Sequence, residues 1–161
     1  MAPLANLGEK TLRGSDTGRI PELITKVKKK SLSKVKRECW DLFSRYIRLR
    51  DCLKTTGCTS FGLCVTCDHR YHFKLLQAGH FISGRHNANL FSEEGTHAQC
   101  YNCNINLRGN TLEYRRRINQ MYGASYDEFL EKKAQQIVKL TVKDLEQLKV
   151  ELIEKIKILG G

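Results

Sequence analysis

Two closely spaced cysteine pairs are the residues in this chain whose types and spacing point most directly to chemistry. Cys64 and Cys67 form one Cys-x-x-Cys pair, and Cys100 and Cys103 form a second. Two such turns supply the tetrahedral set of four thiolates that zinc prefers. Because four sulfur ligands leave no open position, the sequence predicts a structural zinc. Redox thiols and an iron–sulfur cluster are the alternatives, although a redox motif needs only one pair.

The segment between the cysteine pairs is closed at its base by this predicted zinc, which brings its side chains beside the second pair. It contains His80 and His97, and Asn104 directly follows Cys103. A histidine and an asparagine held by zinc beside a short hairpin and a helix are typical of ββα-metal nucleases. In that class one histidine takes a proton from water, and a second metal binds the phosphate.

Five short motifs follow one another in order within about residues 32–123. They are Tyr46-Ile-Arg-Leu-Arg-Asp51, Cys64-Val-Thr-Cys67, Gln77-Ala-Gly-His-Phe81, Gln99-Cys-Tyr-Asn-Cys-Asn104 and Gly109-Asn110 followed by Tyr114. In order and spacing they resemble the phage NinG/Rap recombination endonucleases, a branch of the HNH nuclease superfamily. The resemblance implies a zinc-held, divalent-metal-dependent endonuclease that acts on branched DNA, such as Holliday junctions, during phage recombination.

The resemblance also assigns roles to individual residues. His80 falls on the general-base position of the superfamily, and Asn104 falls on its Asn/His metal-ligand position. His97 matches a His or Asn position of this branch and is interpreted as a metal ligand or as a group that orients the base. Glu93 and Gln77 are further candidate ligands. Magnesium or manganese suits such oxygen-rich ligation.

Two glycines depart from the wider HNH pattern. Gly79 stands where many members have a ligating Asp or His before the base, although Ala-Gly-His is usual in this branch. Gly95 stands where related sequences usually have the Asn that orients the base. We expect neutral His80, with an unperturbed pKa of about 6.5, to take the proton from the attacking water.

Each candidate also has a purely structural interpretation. His80 is then a buried, hydrogen-bonded histidine, and Asn104 is a turn residue beside the cysteines. Glu93 and its neighbour Glu94 are then solvated loop residues, and the two interpretations of His97 are balanced. The other three histidines are interpreted as structural or surface residues without a role: His69, His72 and His86.

The charge of the chain favours a polyanionic partner. Its 28 Lys and Arg against 17 Asp and Glu give a net charge of +11, and most of the excess lies in residues 1–50. We expect DNA to be the partner, held by phosphate contacts. The candidate contact residues are Lys28, Lys29, Lys30, Lys34, Arg37, Arg45, Arg48, Arg85, Arg108, Arg115, Arg116 and Arg117. A solvated helix face is the alternative for such a charge run.

The apolar runs are too short to cross a bilayer or to form a secretory signal, so the sequence predicts a cytoplasmic protein, in the host cell if phage-encoded, with no membrane partner. The predicted fold class is α+β, with a small zinc-held ββα-metal (HNH-like) core flanked by an N-terminal basic helix and C-terminal helices. The predicted divisions are a flexible arm at 1–22, a basic helical segment at 23–50, the nuclease core at 51–123 and helices at 124–161, within one compact domain.

Periodicity predicts the flanking helices. Apolar residues at three- and four-residue steps from Val35 predict an amphipathic helix ending near Arg50, capped by Ser31 or Ser33. A short hairpin is predicted from residues 71–77 and the residues after His80.

Two capping signals and one apolar stripe predict the helices at the C-terminal end. Ser125 and Glu128 match a capping box for a helix through about Val138, and Thr141 with Asp144 is a weaker match. The last helix has one apolar stripe: Leu145, Leu148, Leu152, Ile156 and Leu159. It packs on the chain's own core or, alternatively, forms a homodimer contact.

Two other functions remain open at this point. One is a zinc-ribbon module that binds DNA or RNA without catalysis. The other is an HNH endonuclease with a sequence preference.

Overall fold

The computed structural model describes residues 31–84 and 86–161. The helices and strands follow in the order α1 (Leu32–Thr56), β1 (Phe61–Leu63), β2 (Arg70–His72), β3 (Leu76–His80), α2 (Asn87–Leu90), β4 (Thr96–Cys100), α3 (Thr111–Tyr122), α4 (Tyr126–Ala134) and α5 (Val142–Ile158). The mixture of helices with two small sheets agrees with the predicted α+β class. The predicted arm at 1–22, the lysines at 28–30 and Arg85 lie outside the described residues.

Helix α1 begins at the predicted cap and runs past its predicted end. The Ser31 hydroxyl accepts a hydrogen bond from the backbone N–H of Lys34 at 3.4 Å. The helix continues beyond Arg50 to Thr56, where Gly57 adopts the left-handed conformation (φ 72°) and donates its N–H to the carbonyl of Leu53. The predicted end near Arg50 is wrong because residues 51–56 contain no glycine or proline that would stop the helix.

The strands form two antiparallel pairs, β1 with β2 and β3 with β4. In the second pair Leu76 lies opposite Cys100 and His80 lies opposite Thr96. The predicted hairpin is therefore wrong in its second strand, which does not follow His80 directly. Phe81 instead packs into a separate core cluster, and Gly84 has a positive φ of 89°, so the chain leaves the sheet there and returns at residue 96.

Helix α5 packs against α1 of the same chain. Phe43 and Ile47 of α1 share one buried cluster with Leu152 and Ile156 of α5, and Ala78 of β3 joins it. The apolar stripe of the last helix thus packs on the chain's own core, as predicted, and the homodimer contact stays a prediction. None of the helices in the described part of the chain combines the length and apolar content that crossing a membrane requires.

Of the two predicted capping boxes, the weaker match forms and the stronger one does not. Thr141 and Asp144 form a complete capping box at the start of α5. Ser125 precedes α4 but adopts a left-handed conformation (φ 63°), and its side chain makes no capping hydrogen bond. Helix α4 also ends at Ala134, before the predicted end at Val138. The capping box at Ser125 is therefore wrong, because the left-handed backbone there turns the hydroxyl away from the first helical N–H groups.

Candidate metal centre and catalytic groove

The four predicted zinc ligands converge. The sulfur atoms of Cys64, Cys67, Cys100 and Cys103 all lie within 4.8 Å of one another, and those of Cys67 and Cys100 are 4.0 Å apart. Cys64 follows β1, Cys100 ends β4, and three of the four side chains are buried. Among the described residues, no other group of His, Cys, Asp and Glu side chains converges in this way. The arrangement fits a structural metal such as zinc.

The protonation of these thiols supports the same conclusion. Burial alone raises the pKa of Cys64, but hydrogen bonds from the Thr66 hydroxyl and nearby backbone groups lower it to about 7. Burial and the neighbouring Cys64 sulfur raise the pKa of Cys67 to about 12. Four crowded thiols cannot all ionise together unless a cation neutralises them, and a divalent metal supplies that charge.

His80 lies at the end of β3, between helix α1 and the carbonyl of the last residue of α2. Its imidazole stacks on Trp40 of α1, with ring centroids 5.1 Å apart and an interplanar angle of 17°. Its Nε2 is 3.1 Å from the carbonyl oxygen of Leu90. Because a carbonyl only accepts hydrogen bonds, this contact assigns the proton of the neutral ring to Nε2 and the lone pair to Nδ1.

Both partners of His80 were missed by the sequence analysis. Trp40 lies forty residues before His80, and Leu90 acts through its backbone, which no side-chain motif records. The one available signal was that Trp40 is the single tryptophan of the chain and lies on the predicted amphipathic helix.

This stacking makes Trp40 an intrinsic reporter of His80. Because the two rings are in contact, we expect His80→Gln to change the intensity of the tryptophan emission. Steady-state fluorescence of wild type and His80→Gln at one pH measures this. His69→Gln, which alters an exposed histidine, serves as the matched control and should leave the emission unchanged. An unchanged spectrum in His80→Gln would contradict the stacking.

An open groove lies beside α1 and β3. Its volume is about 370 Å³. The lining residues are Trp40, Ser44 and Arg48 of α1, Leu76, Gln77 and Ala78 of β3, and Asn104 and Ile105 of the wide helical turn Asn102–Asn106. Asn104 donates its amide Nδ2 to Gln77 Oε1 at 2.7 Å. The groove therefore joins Asn104 and Gln77 to Trp40, the residue that stacks on His80.

The structure explains why glycine stands at position 79. A Cβ atom there would overlap the amide of Gln99 and would lie 3.1 Å from Asn104 Oδ1. Gln99 is fully buried, and its Nε2 donates to Gly109 O at 2.9 Å and to Thr66 Oγ1 at 3.3 Å. A ligating Asp or His at position 79 has no room in this chain, because Gln99 occupies that space.

At position 95, as at position 79, another group of this chain takes the place of the expected side chain. Its carbonyl accepts a hydrogen bond from Phe81 N at 2.8 Å, directly after the His80–Thr96 pair. The orienting side chain expected at this position in related sequences is absent, and the Leu90 carbonyl contacts His80 instead.

His97 lies in a buried polar network and is only 3 % exposed. Its Nδ1 contacts Arg50 Nη2 at 3.1 Å and Asp51 Oδ2 at 3.4 Å. Its Nε2 contacts the carbonyl of Glu94 and the hydroxyl of Tyr122. Strand register places His97 opposite Gly79, on the face of the sheet that His80 does not share. The hydrogen bonds of the described residues do not join it to Asn104, and its predicted role as a ligand stays a prediction.

Asp51 anchors this network and should dominate local stability. Burial alone raises its pKa, but hydrogen bonding from His97 and the charge of Arg50 lower it to about 2. Its carboxylate also accepts the backbone N–H of Ala98 at 2.7 Å. Because the folded pKa is below the unfolded value of about 3.9, the ionised carboxylate contributes stability at neutral pH that is lost as the pH falls from about 4 towards 2.

Asp51→Asn should therefore lower the free energy of unfolding at pH 7 by about 3 kcal/mol, because it leaves the partly buried Arg50 guanidinium without its anion and His97 without its hydrogen-bond partner. Urea unfolding measures this change. Asp41→Asn, at an exposed position of the same helix, is the control and should change stability little. Equal midpoints for the two variants would contradict the role of Asp51.

The two acidic candidates also have protein partners. Glu93 accepts a hydrogen bond from the hydroxyl of Tyr46 at 2.7 Å and pairs with Lys155 of α5. Glu94 lies 3.1 Å from the Ser92 hydroxyl and 3.4 Å from Lys133 Nζ. Glu93 therefore links α1 to α5 in this structure, and its predicted role as a metal ligand stays a prediction.

The candidate DNA-contact residues fall into two groups. Lys34, Arg37, Arg45 and Arg108 are exposed, and Arg48 lines the groove with its guanidinium 4.4 Å above the ring of Phe73. The three arginines of α3 instead pair with acidic side chains of this chain: Arg115 with Asp127 and Glu131, Arg116 with Glu113, and Arg117 with Glu113 and Asp68. Those ion pairs neutralise much of the positive charge that these arginines give to α3.

The other three histidines make no contribution to the groove lining. His69 and His86 are exposed, and His72 accepts a backbone hydrogen bond from Lys74 N at the start of a short helical turn. These positions agree with the prediction that they are structural or surface residues.

Comparison with known families gives one match, which covers almost the whole chain. The family model described as Bacteriophage Lambda NinG protein matches residues 9–160. Neither the curated proteins nor the solved structures provide a significant match.

Proposed function

Because the chain belongs to the bacteriophage lambda NinG protein family, which indicates a role related to phage recombination, we propose that it is a divalent-metal-dependent endonuclease for branched DNA. The observation that carries the proposal is the position of His80. It ends β3 and stacks on Trp40, which lines a groove that also contains Asn104 on a turn held by the cysteine cluster.

His80 acts as the base. With Nε2–H directed at the Leu90 carbonyl, the lone pair on Nδ1 accepts a proton from a water molecule as the water oxygen bonds to phosphorus. The bond from phosphorus to the 3′ oxygen then breaks, the leaving oxygen takes a proton from a solvent water, and His80 returns its proton to solvent. Stacking on Trp40 and the Leu90 contact hold the ring in one orientation before the substrate arrives, which reduces the entropic cost of reaching the transition state.

Asn104 is the proposed ligand of the divalent cation. Its Nδ2 is used by Gln77, so Oδ1 is the atom that remains to act as an oxygen ligand. The groove lining contributes no carboxylate, so a magnesium or manganese ion there would keep several waters and take a phosphate oxygen of the substrate as a further ligand. Such an ion would neutralise negative charge on the phosphate and the leaving oxygen.

Helix α1 presents the charge that holds DNA at this groove. Lys34, Arg37, Arg45 and Arg48 fall on one side of the helix, at spacings of 3, 8 and 3 residues that return to the same face. Trp40 and Ser44, which line the groove with Arg48, border that side. Phosphates bound along α1 would therefore lead directly into the groove, while the paired arginines of α3 contribute less.

The test is cleavage of a synthetic four-way junction and a linear duplex of the same sequence. We expect nicks or cuts near the branch point that require magnesium or manganese, with the linear duplex largely intact. Intact strands with every divalent ion, together with salt-sensitive binding, would instead identify a zinc-ribbon binding module. Equal cutting of both substrates at one sequence would identify an HNH endonuclease with a sequence preference.

A further inference from the structure

Three large apolar side chains are exposed beside the groove. Tyr101 is 57 % exposed, Ile105 is 49 % exposed and Leu75 is 62 % exposed. Tyr101 and Ile105 are four residues apart on one helical turn, so they share a face. Leu76 pairs with Cys100, which places Leu75 beside Tyr101 at the end of the strand pair. We call Leu75, Tyr101 and Ile105 the apolar patch.

The backbone beneath the apolar patch is fixed. Cys103 lies in the middle of the turn and belongs to the cysteine cluster. Gly109 N–H contacts the carbonyls of Cys103 and Asn104 at 2.9 and 3.0 Å, and Leu107 N–H donates to Asn102 O at 2.9 Å. The turn therefore cannot rearrange to bury Tyr101 or Ile105, and their exposure is a fixed feature of the surface, of the kind that marks a binding site.

The positive charges around the apolar patch restrict the kind of partner that can bind it. Ile105 lines the groove together with Arg48. Exposed Arg45 lies on the same helix as Arg48, and exposed Arg108 lies three residues after Ile105. A partner must therefore combine negative charge with flat apolar surface. Nucleic acid does so where base faces are uncovered, whereas a continuous duplex covers them by stacking.

We propose that the apolar patch stacks against the bases uncovered at a DNA branch point. The neighbouring Asn104 would then lie at a phosphodiester close to that branch. This inference rests on the proposed function and adds to it the feature by which a branch is distinguished from a duplex. Apolar side chains that pack against separated base steps are an established way for proteins to bind deformed DNA.

The test measures affinity for a three-way junction and for a linear duplex, without added magnesium or manganese so that the DNA stays intact. The double variant Leu75→Ser, Tyr101→Ser, which leaves the groove lining intact, should lose the preference for the junction by about tenfold or more, the scale of one base–aromatic stack. Affinity for the linear duplex, zinc content and melting should stay unchanged. A 2-aminopurine placed at the branch should change its fluorescence on binding wild type but not the variant.

Ile137→Ser is the matched control, because Ile137 is 93 % exposed outside the apolar patch. The inference is overturned if the double variant keeps the junction preference, or if it loses affinity for both DNAs equally. It is also overturned if the variant changes only the oligomeric state, which would make the apolar patch a contact between copies of this chain.

The two proposals fail in distinguishable ways. A wild-type protein that prefers junctions through the apolar patch but cuts no DNA would contradict the endonuclease and support the stacking. If wild type cuts junctions and the double variant keeps the same preference for them, the result would support the endonuclease and contradict the stacking.

Discussion

Cys100→Ser is expected to purify without stoichiometric zinc and without a cooperative unfolding transition. Cys100 is buried at the end of β4, where its sulfur lies 4.0 Å from that of Cys67. Structural zinc contributes about 10 kcal/mol or more in small domains, which is comparable to the whole free energy of unfolding of an ordinary domain. Losing one of four ligands should therefore unfold the strands and the turn that the metal holds together.

Elemental analysis and thermal melting followed by circular dichroism measure this effect. Cys58→Ser is the matched control, because Cys58 lies outside the cluster and serine can replace its contact with the Thr56 hydroxyl. Wild type and the control should carry one zinc per chain. A zinc-free wild-type protein, or a Cys100→Ser variant that melts with wild type, would show that the cluster is not a structural metal site.

His80→Ala is expected to lower cleavage of branched DNA by two orders of magnitude or more while leaving affinity for that DNA within about twofold. The substitution removes the proposed base, whose positioned proton transfer is worth about 10²- to 10⁴-fold. The proposed phosphate contacts are lysine and arginine side chains on α1, which the change does not touch. Single-turnover cleavage and a binding titration separate the two effects.

His69→Ala is the control for this experiment, since it removes an exposed histidine. It should cut as wild type does. A His80→Ala protein that cuts at the wild-type rate, purified alongside a variant shown to be inactive so that contaminating nucleases are excluded, would remove His80 from the proposed role. A protein that lost binding and cleavage together would place His80 in substrate binding instead.

Local patterns were sufficient to predict several parts of the molecule. The Cys-x-x-Cys pairs each lie within one turn, so their spacing alone predicts two pairs of thiols that a metal can join. The three- and four-residue periodicity from Val35 predicts α1, and the apolar stripe from Leu145 predicts a packed last helix. These features depend on residues close together in the chain, and sequence periodicity records them directly.

Side-chain partners across the sheet were not predictable in this way. The register of β3 and β4 joins segments separated by fifteen residues that include α2, and a shift of one position would exchange the faces. That register places His97 with Asp51 and puts Gln99 over Gly79. The motifs gave His80 the base position and left two interpretations of His97 open, and only the register shows that the two side chains lie on different faces of the sheet.

The sequence by itself determined the four cysteines, the basic first helix and the family to which the chain belongs. Tertiary structure decided the environment of each polar group. It stacked Trp40 on His80, paired the arginines of α3 with acids, and left Tyr101 and Ile105 exposed beside Asn104. The physical reason is that residue type and spacing set which contacts a side chain is able to make, whereas its actual partners come from segments that are distant in the chain and meet only on folding.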